Sequence, residues 1–364
     1  MRIPPNPLLK FETDQEELTE SLSAALFIGE SLWVASDELT SVERLSTSDD
    51  QTFQNHVSFP LEGLLDLPAS ETEFDQEIDI EGLDIRDSHL WLVGSHSIKR
   101  KKVESDDKDD DAKLIKKLSK TEAEGNRYIL ARIPLIKGGA AGELELPDPD
   151  GDTKGARLEG DLRRNALTDA LRQAEGGKGD PHLGKFLDIP GKDNGLDIEG
   201  LAVAEEKVFL GLRGPVLRGW AVVLELSVDT SDPAQLTLKS LGQDGRPYRK
   251  HLLDLAGLGV RDLCLDGDDL LVLAGPTMNL DGPAAIYRWQ GAVNSAQDSL
   301  VRSKRLIRLL EIPFGLGTDH PEGFTIVPAE EQPRQILVVY DSPSERRKVG
   351  PGQVQMDVFD IPAA

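Results

Sequence analysis

Asp197-Ile198-Glu199-Gly200-Leu201 recurs to the letter at Asp79-Ile80-Glu81-Gly82-Leu83 and loosely at His320-Pro321-Glu322-Gly323-Phe324. Gly259-Val260-Arg261-Asp262-Leu263 is a degenerate copy. A few polar residues after each copy comes an apolar run ending in a turn. These runs are His89-Leu90-Trp91-Leu92-Val93-Gly94-Ser95-His96, Lys207-Val208-Phe209-Leu210-Gly211-Leu212-Arg213, Asp269-Leu270-Leu271-Val272-Leu273-Ala274-Gly275 and Gln335-Ile336-Leu337-Val338-Val339-Tyr340-Asp341. A fifth, motif-poor copy spans Leu22 to Asp37. Short strands separated by Gly, Pro and Asp turns and repeating at a fixed period predict an all-β chain folded as a β-propeller.

The units begin near residues 21, 79, 197, 259 and 320, so the step from 79 to 197 is about twice the others. Either a sixth blade hides there or one blade carries long insertions. Only two strands are readable between 97 and 190, Tyr128-Ile129-Leu130-Ala131-Arg132-Ile133 and Gly184-Lys185-Phe186-Leu187-Asp188-Ile189. They are the third and fourth strands the 79 unit needs, which favours five four-stranded blades, with six as the alternative. The single domain 1–364 then carries a charged loop over 97–126 and a Gly/Asp-rich, helical insertion over 137–182. Leu162, Ala166, Leu167, Ala170 and Leu171 supply that helix's apolar face, and Gly176-Gly177 ends it. The last unit lacks a fourth strand, and Pro7-Leu8-Leu9-Lys10-Phe11 is placed to supply it and close the ring.

Composition narrows the function. A net charge of −24 opposes binding to nucleic acid or to anionic membranes, and the aromatic share of 5% is too small for long stacking platforms. One cysteine, Cys264, excludes an internal disulfide and a cysteine-based zinc cluster. No apolar segment has the length of a membrane span or the form of a signal peptide, so a cytoplasmic location is expected.

In an up-and-down blade, the link into the first strand and the turn between the second and third strands open on the same face. The polar motifs therefore converge on one mouth of the central channel. Asp79, Glu81, Asp197, Glu199, Asp262 and Glu322 are the candidate metal ligands there. Converging carboxylates need compensation: a hard divalent cation such as calcium, arginine and lysine partners, or backbone amides. Arg213, Arg261, Lys192 and Asp341 are candidate substrate-binding groups, and His96 and His320 candidate proton carriers. The structural alternative is that the glutamates tie adjacent blades together.

The Asp-Ile-Glu-Gly-Leu copies, His89 to His96, Gly211-Leu212-Arg213-Gly214-Pro215, Ala274-Gly275-Pro276-Thr277 and Leu337 to Ser342 resemble an uncharacterised bacterial family of unknown function across most of residues 20–345. The Glu-Gly turns more distantly resemble esterase-like and phytase-like propellers, a resemblance that implies calcium at an acidic mouth and hydrolysis of phosphate esters. The resulting expectation is a small-ligand-binding propeller with a divalent cation, hydrolysing an ester, lactone or phosphoester. The alternative is a non-catalytic scaffold for a protein partner, since the fold hosts both roles.

Two further stretches are weaker. Asp148-Pro149-Asp150-Gly151-Asp152 with Glu159 partly matches a calcium loop, but Thr153 occupies the position that needs glycine. Lys99-Arg100-Lys101-Lys102, followed by Asp106 to Asp111, reads as a solvated loop.

Overall fold

The structure, a computed structural model, describes residues 2–12, 16–47, 52–69, 77–103, 107–123, 125–138, 143–242, 244–328 and 333–362. It is all-β, with curled, nearly closed sheets in a propeller-like arrangement. Each repeat unit is an antiparallel meander. In the 21 unit, Leu22–Ile28, Ser31–Ser36, Ser41–Thr47 and Phe53–Pro60 pair in succession. In the 259 unit the same order runs through Gly259–Asp266, Asp269–Gly275, Ala284–Trp289 and Leu306–Ile312. The 197 unit uses Asp197–Ala204, Lys207–Leu217, Trp220–Asp229 and Tyr248–Leu253.

The first strands pack on one another around the axis: Leu22–Ile28 on Ile80–Arg86, then Asp197–Ala204, Gly259–Asp266 and His320–Ile326, which returns to Leu22–Ile28. The motif glycine is what allows this approach. A Cβ on Gly82 would stand 2.7 Å from Leu201 Cβ, and one on Gly200 2.8 Å from Leu263 Cγ. One on Gly323 would stand 2.7 Å from the Ser23 carbonyl oxygen. Where the 259 unit has Asp262 instead, its carboxylate accepts from Phe324 N (2.9 Å), fastening its strand to the next. Leu22–Ile28 and Asp197–Ala204 are buried along their whole length, as strands covered on both faces must be. The apolar core lies between the units, around groups such as Trp33, Phe209, Trp289 and Tyr340.

The N-terminal segment joins the last unit to the first. Met356 N and Val358 N donate to the carbonyls of Pro7 and Pro5. Leu8–Lys10 then pairs with Gln353–Gln355, and Leu9 meets Phe53 of the 21 unit.

Between 97 and 190 the structure departs from expectation. The 79 unit is completed by Leu130–Pro134 and Ala156–Leu158, not by the stretch 184–189. Gly184–Phe186 is a 3-10 turn, because the Asp180 carboxylate draws in the amides of His182 and Leu183 and so curls the chain. Leu162 precedes the insertion helix, which begins at Ala166 behind a capping box formed by Asn165 and Thr168. The charged stretch holds a second helix, Asp111–Leu118, capped by Asp110 and flanked by Lys113–Asp109 and Lys117–Asp107 pairs. Asp106 lies outside the described residues. Among the described residues no helix is long and apolar enough to cross a membrane.

Candidate functional site: an acidic ring with two uncompensated carboxyls

Every inner strand carries a register shift at the same place, between Leu22 and Ala24, Ile80 and Gly82, Ile198 and Gly200, Val260 and Asp262, and Pro321 and Gly323. The bulged residues are therefore Ser23, Glu81, Glu199, Arg261 and Glu322, one per unit, and a bulge re-aims the side chain it carries. The residue before the bulged pair adds Asp79 and Asp197. The chain beyond the partner of each pre-bulge residue adds Asp37, Arg213 and Asp341, which follow Ser36, Leu212 and Tyr340 in equivalent register.

Most of this ring is neutralised internally. Arg213 Nη1 lies 2.8 Å from Glu199 Oε1 and 4.0 Å from Asp197 Oδ2, while its Nε donates to Thr277 O. Arg261 Nε stands 3.0 Å from Glu199 Oε2, an ion pair without hydrogen-bond alignment, and its Nη2 contacts Glu322. Arg127 contacts Asp79 and Glu77 and reaches Ser95 Oγ at 3.2 Å. His320 bridges Asp281 (3.0 Å) and Asp341 (3.7 Å); these carboxylates raise its pKa, the Gly317 amide and then His320 lower that of Asp281, and His320 lowers that of Asp341 against the burial that pushes it upward.

Two of its carboxyls are not. Glu81, only 8% exposed, makes no hydrogen bond or ion pair with a described residue. Asp37 Oδ1 is buried without a partner. Asp37, Asp79 and Glu81 each bring a carboxylate oxygen within 4.8 Å of the others, the cation-type cluster found among the described residues. Burial, then the Asp79 and Asp341 charges, push the Asp37 carboxyl up to about 8. Burial, then Glu199 and Asp79, hold Glu81 well above the usual carboxylate range. Asp197 rises to about 7 through burial and Glu199, against the pull of Arg213. Unpaired carboxyls so close together must hold a proton or share a cation.

Not every candidate joins this cluster. Asp262 spends both oxygens on the amides of Leu263 and Phe324. Lys192 sits on the Gly191–Asp193 turn, and its charge lowers the pKa of Asp37 and Asp197. His96 is buried, donates from Nδ1 to Gly94 O (2.7 Å) and accepts at Nε2 from Asn165 Nδ2 (2.6 Å). Burial pushes its pKa down to about 4, so the ring is neutral and engaged at both nitrogens. Asp148 accepts from Asp150 N within its own turn.

Sequence reasoning missed Asp37, Arg127 and Asn165. Asp37 had a usable signal, since it follows the apolar run of its unit as Arg213 and Asp341 close theirs. Arg127 and Asn165 had none, because each follows a long insertion.

The model of the family described as protein of unknown function (DUF3616) matches residues 21–357, and the chain belongs to that family. Comparison with curated proteins gives no match. Among solved structures the chain is similar to the glutaminyl cyclase of Myxococcus xanthus (8% identity, TM-score 0.40, 100% of this chain and 97% of that one). It is also similar to an exo-1,5-alpha-L-arabinanase from a bovine ruminal metagenomic library (8%, 0.40, 96% of each). A third is the PQQ-bound aldose sugar dehydrogenase of Streptomyces coelicolor (13%, 0.36, 98% and 100%). Likeness at these scores carries no argument about chemistry.

Proposed function

We propose that the chain is a five-bladed propeller that holds a hard divalent cation of the calcium type between Asp37, Asp79 and Glu81, and offers it to a small anionic ligand at the mouth. The observation that supports this is the pair of orphaned carboxyls: Asp37 Oδ1 is buried without a partner, and Glu81 has none. A ring that neutralises Glu199, Glu322 and Asp79 with arginines but leaves these two bare has the donor set a hard oxygen-seeking cation takes. Such a cation polarises a carbonyl or phosphoryl oxygen, which is the chemistry of an ester, lactone or phosphoester hydrolase. Around it, Asp197 adds negative charge, and Arg213 and Arg261 hold Glu199 in place.

A second reading, a protein-interaction scaffold, draws support from Met278, Leu280, Phe314 and Leu316, which stay exposed on loops tied together by Asp281.

The test is thermal unfolding of metal-stripped protein with added calcium, magnesium, manganese or zinc, beside Glu81→Gln, Asp37→Asn and Glu199→Gln. A midpoint that rises with one ion, reflecting about 2.7 kcal/mol of added stability at a hundred times Kd, is expected in the wild type and in Glu199→Gln, and not in the other two. No response to any ion removes the cation and the hydrolase reading with it.

A further inference from the structure

Successive residues Arg127 and Tyr128 serve different places. The Arg127 guanidinium holds Asp79 in the acidic ring, while Tyr128 lines a separate cleft of about 350 Å³ between the charged stretch and the insertion helix. That volume is at the lower end of the range for small-molecule sites.

Three features give the cleft a chemical preference. Tyr128 is 6% exposed, yet its hydroxyl has no hydrogen-bond partner among the described residues. Arg163 lines the cleft with a guanidinium that makes no ion pair among them, although its neighbour Arg164 pairs with Asp161 and Asp169. The backbone of Arg163 is held where its N–H donates a hydrogen bond to Asp161 Oδ1 (2.8 Å). The other charges are already matched, Arg172 with Asp188 at 2.8 Å and Glu122 with Lys101. Ile98 and Leu187 complete the wall with apolar surface.

We infer that this cleft is a binding site for a compact organic carboxylate with a flat apolar body. Arg163 takes the carboxylate through its paired donors, the Tyr128 hydroxyl gives a further hydrogen bond, and Ile98 and Leu187 cover the body. A planar guanidinium suits a carboxylate geometrically, and on a chain of net charge −24 an unmatched arginine in a concavity is where a small anion is tolerated. The site needs no cation, so its fate is independent of the acidic ring.

The test uses metal-stripped protein and benzoate as the probe, followed by saturation-transfer NMR and calorimetry, with benzyl alcohol as the neutral control. Saturable benzoate binding is expected, weakened about tenfold or more by Arg163→Gln and measurably by Tyr128→Phe, and unchanged by Arg164→Gln. Because Arg163 is exposed and Tyr128→Phe removes one oxygen, both variants are expected to fold. Benzoate that fails to saturate, binds no better than benzyl alcohol, or binds Arg163→Gln as well as wild type overturns the assignment.

Discussion

Arg261 occupies the bulge position that Glu199 holds one unit earlier, and the two side chains meet at 3.0 Å. One arginine in a ring of glutamates therefore serves both flanking units, since its other arm contacts Glu322. Buried at 6% exposure, it cannot be removed without stranding Glu322 and leaving Glu199 to Arg213 alone. Arg261→Leu is expected to cost about 3–5 kcal/mol by urea unfolding, with much of the loss recovered when Glu199→Gln and Glu322→Gln are added. A loss below about 1 kcal/mol would show that solvent already screens this ring.

The orphaned carboxyls make stability depend on pH in an unusual direction. A carboxyl whose folded pKa is raised keeps its proton where the unfolded chain, near 4, has lost it. Its penalty is absent at low pH and grows as pH rises toward the folded value, about 7 for Asp197 and about 8 for Asp37. The contribution of these groups to the stability of metal-free protein is therefore expected to fall from near pH 4 up to about 8, by at most about 1.4 kcal/mol per pH unit for each proton held. The raised pKa of His320 acts in the same direction, so the assignment rests on Asp37→Asn, which should reduce the slope in equilibrium unfolding. Calcium competes with these protons, so its affinity should rise across the same range.

His96 makes the opposite contribution. Its Nδ1 donates to Gly94 and its Nε2 accepts from Asn165, a fixed tautomer that a second ring proton would break. With a folded pKa lowered to about 4, the stabilisation is present above the unfolded value near 6.5 and lost as pH falls toward 4. Nitrogen-15 spectra should show a neutral Nδ1–H ring down to about pH 5. Asn165→Asp should raise that pKa, because a carboxylate there favours the imidazolium, and titration near 6.5 in the wild type would contradict the hydrogen-bond assignment.

Much of this organisation is written in the motif itself. The Glu-Gly pair marks the bulge and the close inner-strand approach, so the ring position of Glu81, Glu199, Arg261 and Glu322 follows from spacing once the topology is chosen. What spacing could not convey was which charges cancel. Arg127 reaches Asp79 from beyond a long insertion, and Asp37 belongs to a unit whose bulge holds Ser23 in place of glutamate. The stretch 184–189 misled because its apolar residues Phe186, Leu187 and Ile189 are compatible with a strand. The capping Asp180 that curls it acts through side-chain bonds that an apolar pattern does not report.

The motif glycine offers the sharpest steric test. A methyl group on Gly82 would sit 2.7 Å from Leu201 Cβ and 3.0 Å from Leu201 N, neither of which can swing aside as the tip of a long side chain does. Gly82→Ala should force the two inner strands apart and cost about 1–3 kcal/mol in chemical unfolding. Gly350 supplies the comparison: its added Cβ would meet nothing nearer than Gln353 Nε2 at 3.8 Å, and Gly350→Ala should stay within about 0.5 kcal/mol of wild type. Equal effects from the two would mean that the glycine is retained for some reason other than inner-strand crowding. A Gly82→Ala chain that also loses its cation response would tie the spacing of the strands to the geometry of the Asp37, Asp79 and Glu81 carboxyls.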